Sequence, residues 1–439
     1  MASDTIYAPA TASGRAPVGI LRVSGPQAAT VARELTGRKP PPPRTAALRR
    51  LWDPSTGELI DRALVLWFPG PRSETGEDLL EIQHHGGHAV LAGLVGALER
   101  VPGCRPAGPG EFTRRAFLNG KLDLTAAEGL ADLIDAGTRA QARQALRQLE
   151  GELGRLYAAW REQLLQALAR VEAEIDFAAE EEVPDSTVAQ VLPDLERLQG
   201  ELAAHLADRG RGERLRAGVT VAVIGPPNVG KSSLVNLLAQ REVAIVTPIA
   251  GTTRDIIEVH LDLSGVPVTL LDTAGLRETA DPVEVEGVAL ARRRAELADL
   301  RLDLIEVGMT PRQPSDDASI LVVNKIERAP DTILPAGILP ISCLTGAGIA
   351  ELTDLLAERA GMLVAAGAAP VLTRARHRLA VGEAVNALRR FTTAAEQGAE
   401  LALLAEDLRL AARAIGGITG AVGVEDVLDR VFATFCIGK

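Results

Sequence analysis

Hydrophobic and polar positions change their spacing along the chain, and these changes divide it before any motif is read. Over residues 1–120 short apolar runs alternate with glycine and proline. Val18 to Val23, Arg62 to Phe68 and Leu79 to Gln83 predict strands, while Ala28 to Leu35 and Ala89 to Leu98 predict helices. The stiff Pro40 to Pro43 run is a loop, so a compact α+β domain is expected. From Thr125 the texture turns to Ala, Leu, Glu, Gln and Arg, with apolar residues at Leu130, Leu133, Ile134, Leu146, Leu149 and Leu153, which is helical spacing. Helices continue through Tyr157 to Ile175, pause at Ala178 to Ser186, and resume from Val188 to Leu215. Glu180 to Glu182, at the pause, reads as a solvated acidic connector.

After Pro370 the helical texture returns in Arg376 to Gln397, Ala399 to Ile415 and Val424 to Phe435. A helical domain split into residues 121–215 and 371–439 is therefore expected, with residues 216–370 inserted. In the insert, Val219 to Ile224, Ile256 to Leu263, Val266 to Leu271, Leu302 to Val307, Ile320 to Val323 and Gly337 to Ile341 predict strands. Gly287 to Leu297 and Ile349 to Arg359 predict helices, giving a mostly parallel sheet covered on both faces. The fold class is multidomain, α+β, α-helical and α/β.

Composition narrows the picture. At 439 residues there is room for about three domains. Cys104, Cys343 and Cys436 are far apart without a Cys-x-x-Cys pair, which fits a reducing, cytoplasmic compartment. No apolar run approaches bilayer length and Met1 to Pro17 lacks a leader pattern, so a soluble protein without membrane contact is expected. A net charge of −11 argues against a broad nucleic-acid surface and leaves any such contact local. His84-His85-Gly86-Gly87-His88 offers imidazoles without a carboxylate or cysteine at ligand spacing, and reads as a turn rather than a metal site. Arg22, Glu81 and Lys121 are charges in or beside apolar strands or at the domain's end, which suits either ion pairing or ligand contact.

The candidate chemistry lies in the insert. Gly225-Pro226-Pro227-Asn228-Val229-Gly230-Lys231-Ser232 follows an apolar run and opens a helical pattern, as a phosphate-binding loop does. Lys231 would reach the outer phosphates and Ser232 would hold magnesium. Four further segments follow in order: Gly251-Thr252-Thr253-Arg254-Asp255, Asp272-Thr273-Ala274-Gly275, Asn324-Lys325-Ile326-Glu327 and Ser342-Cys343-Leu344. Together they make the signature set of a GTPase. The expected nucleotide contacts are Asn228, Val229, Gly230, Lys231, Ser232 and Ser233; Thr247, Pro248, Ile249, Ala250, Gly251, Thr252 and Thr253; Asp272, Thr273, Ala274 and Gly275; Asn324, Lys325 and Glu327; and Ser342, Cys343 and Leu344. Glu327 stands where the base reader is usually aspartate, and its extra methylene implies a weakened guanine preference. Leu276 occupies the place where many small GTPases carry a water-orienting glutamine. Hydrolysis then calls on a monovalent cation held by Asn228 and Thr247 to Thr252, with Glu284 orienting water and Arg277 as the rival source of charge.

These residues resemble the MnmE (TrmE) family of tRNA modification GTPases over nearly the whole chain. Asp4-Thr5-Ile6 with Gly19 to Gly25, Gly76-Glu77-Asp78, Phe117 to Asp123 and the terminal Phe435-Cys436-Ile437-Gly438-Lys439 are similar to the family's motifs. The resemblance implies a folate-binding, dimerising N-terminal domain, a helical domain and an inserted potassium-stimulated GTPase domain. It places a 5-formyltetrahydrofolate or related folate at Arg22, Glu81, Lys121 and Lys439. It also implies potassium at Asn228, Thr247, Ile249 and Thr252, magnesium at Ser232 and Thr253, and a catalytic Glu284. A heterotetramer with the FAD-dependent partner MnmG, acting on the wobble uridine of certain tRNAs, follows from it, with Cys436 either chemical or merely packed. Departures are Glu327, Pro226 in place of a basic residue, a short Leu300 to Asn324 segment, and the polar strand Leu304-Ile305-Glu306-Val307. A ribosome-assembly GTPase and a dynamin-like structural GTPase are the rival readings.

Overall fold

The computed structural model describes the chain apart from residues 1–3, 13, 178–186, 241–257, 273–295, 311–317, 366–369, 424, 434, 436–437 and 439. It forms two compact units, one of residues 1–131, 149–158 and 416–439, the other of residues 132–148 and 159–415.

In the first unit the elements are β1 (Thr5–Pro9), β2 (Val18–Ser24), α1 (Ala28–Thr36), β3 (Ala47–Trp52), β4 (Leu59–Phe68), β5 (Leu79–His85), α2 (His88–Glu99), β6 (Cys104–Pro106) and α3 (Glu111–Leu118), followed by the start of α4 (Leu124–Asp135). The strands form one sheet in the order β3-β4-β5-β2-β1-β6, antiparallel except for β1 against β6. Strand alternation gives the sheet two faces. Leu21, Val23, Leu80 and Ile82 join Val31 and Leu35 of α1 and Leu94 and Leu98 of α2 in one core, while Ile6, Ala8 and Leu79 pack with Phe112 of α3 on the other face.

Arg115, buried in α3, knits that second face. Its guanidinium donates to Asp4 Oδ1 at 2.9 Å, Glu111 Oε1 at 3.1 Å and Glu77 Oε2 at 3.1 Å. Burial pushes the Asp4 and Glu111 carboxyls up, but Arg105 and Arg115 outweigh it and hold both below the usual carboxylate range. Stability from these lowered values is present above the unfolded carboxyl pKa and is lost as pH falls through the folded values, so it fades below about pH 4. Replacing Arg115 by Met leaves Glu77 with the Ser24 hydroxyl but no counter-charge and weakens the ring, and the expected loss is about 3 kcal/mol in chemical unfolding at neutral pH. An unchanged midpoint would show that the ring contributes nothing.

The second unit contains α5 (Arg139–Leu149, through Gln148), most of α6 (Glu152–Phe177), α7 (Thr187–Leu206), α8 (Arg211–Ala217), β7 (Val219–Ile224), α9 (Lys231–Ala239), β8 (Glu258–Leu263), β9 (Val266–Asp272), β10 (Leu300–Glu306), β11 (Ser319–Asn324), β12 (Leu339–Pro340), α10 (Ile349–Val364), α11 (Ala375–Glu396) and α12 (Leu401–Thr419, through Ile415). The helix α13 (Glu425–Ala433) belongs to the first unit. Val188, Val191, Leu195, Leu198 and Leu202 recur at helical spacing on α7, which packs on α11. The sheet order is β12-β11-β10-β7-β9-β8, parallel except for the β8-β9 hairpin. β7, β9 and β11 are nearly continuous apolar runs because both faces are covered, whereas β8 and β10 alternate apolar with polar residues; Val221, Val223, Leu270, Leu302 and Val322 lie in the core. Asp132 accepts from Arg216 at 2.9 Å and from Arg374 at 2.8 Å, tying the segments before and after the sheet to one carboxylate.

The predicted Val188 to Leu215 stretch is not one helix: the chain leaves α7 at Leu206 and restarts at α8 after Gly210, whose φ of 75° is left-handed. The expected helix at Gly287 to Leu297 and the acidic run Glu180 to Glu182 lie in or mostly in the residues outside the description.

Candidate functional site

The carboxyl ends of β7, β9, β11 and β12 bring the nucleotide motifs to one edge of the parallel sheet, where open α/β sheets bind ligands. β7 runs into the glycine-rich loop. Gly225 has φ 152°, and a Cβ there would stand 2.1 Å from the Leu304 carbonyl oxygen; at Gly230, with φ 101°, a Cβ would stand 2.4 Å from Asn324 Nδ2. Only glycine fits at either position. Gly230 is the N-cap of α9 and no side chain caps the helix, so its first N–H groups face the loop.

Lys231 opens α9 and is 9% exposed. Its ammonium donates to the carbonyl oxygens of Gly225 at 2.9 Å and Pro226 at 3.0 Å, and no carboxylate among the described residues pairs with it. A buried cation held by carbonyls alone is matched to an anion brought by a ligand. Ser232 is half-buried and Ser233 exposed in the same turn, Val229 is buried, and Asp272 is buried at the end of β9. Asn228 has a left-handed φ of 64°.

Asn324, 1% exposed at the end of β11, connects two parts of this edge. Its Nδ2 donates to the Val229 carbonyl at 2.8 Å, and its Oδ1 accepts from the Cys343 N–H at 3.1 Å. Lys325, also left-handed, donates to the Asn228 carbonyl and to Glu306 Oε2, both at 2.8 Å. Glu306 also takes Arg328. The polar character of the β10 strand is thereby explained: Glu306 is the anchor of the Asn324 to Arg328 segment, a role visible in sequence only as an anomaly. Ser342 is buried, Cys343 is half-buried with its thiol pushed up by burial, and Leu344 is exposed.

Glu327 lies in a 3₁₀ turn, Ile326–Arg328. The Ser342 hydroxyl and then its own backbone N–H hold its carboxyl below the usual range, yet Oε2 is buried without a hydrogen-bond partner. An orphaned carboxylate oxygen is an acceptor waiting for a donor.

In the first unit, the β2-β5 register sets Arg22 directly opposite Glu81, and Arg22 Nε donates to Glu81 Oε1 at 2.8 Å and Nη1 pairs with Glu74 at 3.0 Å. Glu74 was not anticipated; it sits in the loop before Gly76-Glu77-Asp78 and carries no pattern of its own. Lys121 donates to the Pro71 carbonyl of the same loop at 2.7 Å. Gly438 lies against the end of β1, where a Cβ would stand 2.0 Å from the Pro9 carbonyl oxygen. Thr247, Pro248, Ile249, Ala250, Gly251, Thr252, Thr253, Thr273, Ala274, Gly275, Glu284, Cys436 and Lys439 lie outside the described residues.

The model of the GTP-binding protein TrmE N-terminus matches residues 5–121, and that of the MnmE helical domain matches residues 124–436. A "tRNA modification GTPase MnmE" from Parvibaculum lavamentivorans is 55% identical, covering 99% of this chain and 100% of that protein. Proteins of the same description from Methylobacterium sp. strain 4-46 and Rhodospirillum rubrum are 53% and 54% identical, each alignment covering both chains completely. The chain belongs to the MnmE family. Among solved structures, the G domain of T. maritima FeoB aligns at 26% identity with 32% of this chain and 98% of that one, at a TM-score of 0.25, too low to bear on the fold.

In the sequence of this MnmE-family chain, Glu327 stands at the expected base-reading position, and that expectation has a measurable consequence. Glu327→Asp shortens the reach and releases the Ser342 hydroxyl, and GDP affinity is expected to rise about fivefold with a wider preference over ADP. Titration with labelled GDP checks this; an unchanged affinity would show that the turn already accommodates the longer side chain.

Proposed function

We propose that this chain is a potassium-stimulated GTP hydrolase that, with the FAD-dependent partner MnmG, modifies C5 of the wobble uridine of certain tRNAs using a tetrahydrofolate one-carbon unit. Membership of the MnmE family supports GTP hydrolysis in tRNA modification. The observation that carries the nucleotide reading is the buried Lys231 ammonium with carbonyl partners only. Lys231 and the free N–H groups of α9 neutralise and orient the outer phosphates. Ser232 and Asp272, with Thr253, would hold magnesium, which supplies charge at the phosphate oxygens. Asn324 keeps the phosphate loop and the Ser342 to Leu344 segment in register, and the unpartnered Oε2 of Glu327 would supply an acceptor for a guanine N–H. Glu284 would orient the attacking water, and Asn228 with Thr247, Ile249 and Thr252 would hold potassium.

Arg22, Glu81 and Lys121, with Lys439, suit the polar edges of a folate, whose role is to bring the one-carbon unit; Glu81 offers a half-buried acceptor and Arg22 a donor on one sheet face. Residues 1–120 would form the folate-binding, dimerising domain, 121–215 with 371–439 the helical domain, and 216–370 the GTPase domain, in a cytoplasmic homodimer that joins MnmG. No helix among the described residues is long and apolar enough to cross a membrane. The test is nucleoside analysis of tRNA incubated with purified protein, MnmG, GTP, magnesium, potassium, methylenetetrahydrofolate as the carbon source and ammonium or glycine as the nitrogen source. A new C5-aminomethyl-type uridine at the wobble position is expected, and its absence with an active partner would overturn the proposal.

A further inference from the structure

A recess of about 220 Å³ opens at the start of α2, lined by Gly19 of β2, His84 of β5, and Gly86, Gly87, His88 and Leu91. It is separate from the Arg22 and Glu81 cluster. Gly19 shares its strand face with Leu21 and Val23, and His84 shares its face with Leu80 and Ile82, whereas Arg22 and Glu81 project from the opposite face.

Two independent features of the recess point to one kind of ligand. The helix α2 is 12 residues long and starts at Gly87, whose backbone is extended (φ −88°, ψ 145°), with no side-chain cap. Leu91 donates to the Gly87 carbonyl at 3.1 Å, so the N–H groups of His88, Ala89 and Val90 have no intrahelical acceptor and sit at the positive end of the helix dipole. The second feature is His84, 4% exposed. Its Nδ1 lies 2.8 Å from the His85 carbonyl oxygen. A carbonyl only accepts, so Nδ1 carries the proton and Nε2 presents a lone pair. Nε2 has no hydrogen-bond partner among the described residues, and Gly19 leaves room beside it, since a Cβ there would stand 2.9 Å away.

The ligand that satisfies both features must accept from backbone N–H groups and donate an O–H to imidazole. Carboxylates and sulfate carry no proton at neutral pH. A phosphomonoester is different: its second ionisation falls at about pH 6, so about a tenth of it still carries a proton at pH 7, and a site that offers an imidazole lone pair selects that form. We propose that this recess binds a phosphate group, either free phosphate or the end of a small organic phosphomonoester.

The experiment uses the full-length protein saturated with magnesium and a non-hydrolysable GTP analogue, so that the phosphate loop is filled. Inorganic phosphate, glycerol 3-phosphate and sulfate are titrated calorimetrically. Millimolar or tighter binding of the phosphates is expected, with sulfate at least tenfold weaker. Tighter binding of glycerol 3-phosphate assigns the recess to organic phosphomonoesters, and tighter binding of inorganic phosphate assigns it to the free ion. A Cβ at Gly87 meets nothing within 4 Å, so Gly87→Ala should bind as the parent does. Gly87→Asp supplies a capping carboxylate at the free N–H groups and should weaken phosphate at least tenfold without lowering the thermal midpoint. Absence of phosphate binding, sulfate binding equal to phosphate, or undiminished binding by Gly87→Asp would overturn the proposal.

Discussion

Lys231→Ala is expected to lower kcat/KM for GTP by about 10³-fold, in line with the loss of a preorganised donor aimed at developing phosphate charge. The size follows from where the ammonium sits. It is nearly enclosed, it bonds the carbonyls of Gly225 and Pro226, and no carboxylate among the described residues neutralises it. Phosphate oxygens are therefore its natural counter-charge, and alanine leaves them facing only the α9 N–H groups and magnesium. Much of the loss should appear in kcat, because charge on the outer phosphates grows toward the transition state. The fold should tolerate the change, since the apolar residues behind α9, Leu234, Val235 and Leu238, are untouched. Single-turnover hydrolysis with a parallel GDP titration checks this, and a rate within threefold of the parent would remove Lys231 from the phosphate site.

The motifs of the nucleotide edge were legible because local backbone chemistry demands them: glycine at 225 and 230 admits no substitute, and the apolar runs of β7 and β11 are buried on both faces. Long-range wiring was not legible. Asn324 joins Val229 across 95 positions and Glu306 collects Lys325 and Arg328, and neither contact leaves a periodic trace. In the first unit, β3 escaped notice because Arg49 and Arg50 interrupt its apolar pattern, as charges do on an edge strand. β1 is five residues ending in proline, and β6 is three, both too short for alternation to register. α3 was hidden by its arginines, of which Arg115 turned inward to meet Asp4, Glu77 and Glu111. Arg22 and Glu81 show the same limit from another side. Their charges stood out in the strands, and the register that sets them opposite one another came only with the sheet.

GTP hydrolysis in potassium is expected to exceed that in sodium by about 10² to 10³-fold, the range that a positive charge at the terminal phosphate contributes in related chemistry. Leu276 has no amide to orient water, and under the proposed function a bound potassium ion supplies charge at the terminal phosphate. Asn228 is placed to help supply it: the residue is exposed in the phosphate loop with a left-handed φ of 64°, its carbonyl is occupied by Lys325, and its side-chain amide engages no described residue. Under the proposed function that amide oxygen would be a ligand of the cation. Potassium accepts longer oxygen contacts than sodium, so a loop spaced for the larger ion does not close on the smaller one. Asn228→Gly keeps the left-handed backbone and the carbonyl that Lys325 needs while removing the amide. The variant should bind GDP within a few-fold of the parent and lose most of its potassium stimulation. Equal parent rates in potassium and sodium chloride would sink the cation role altogether, and stimulation retained in Asn228→Gly would move the ligand to another residue.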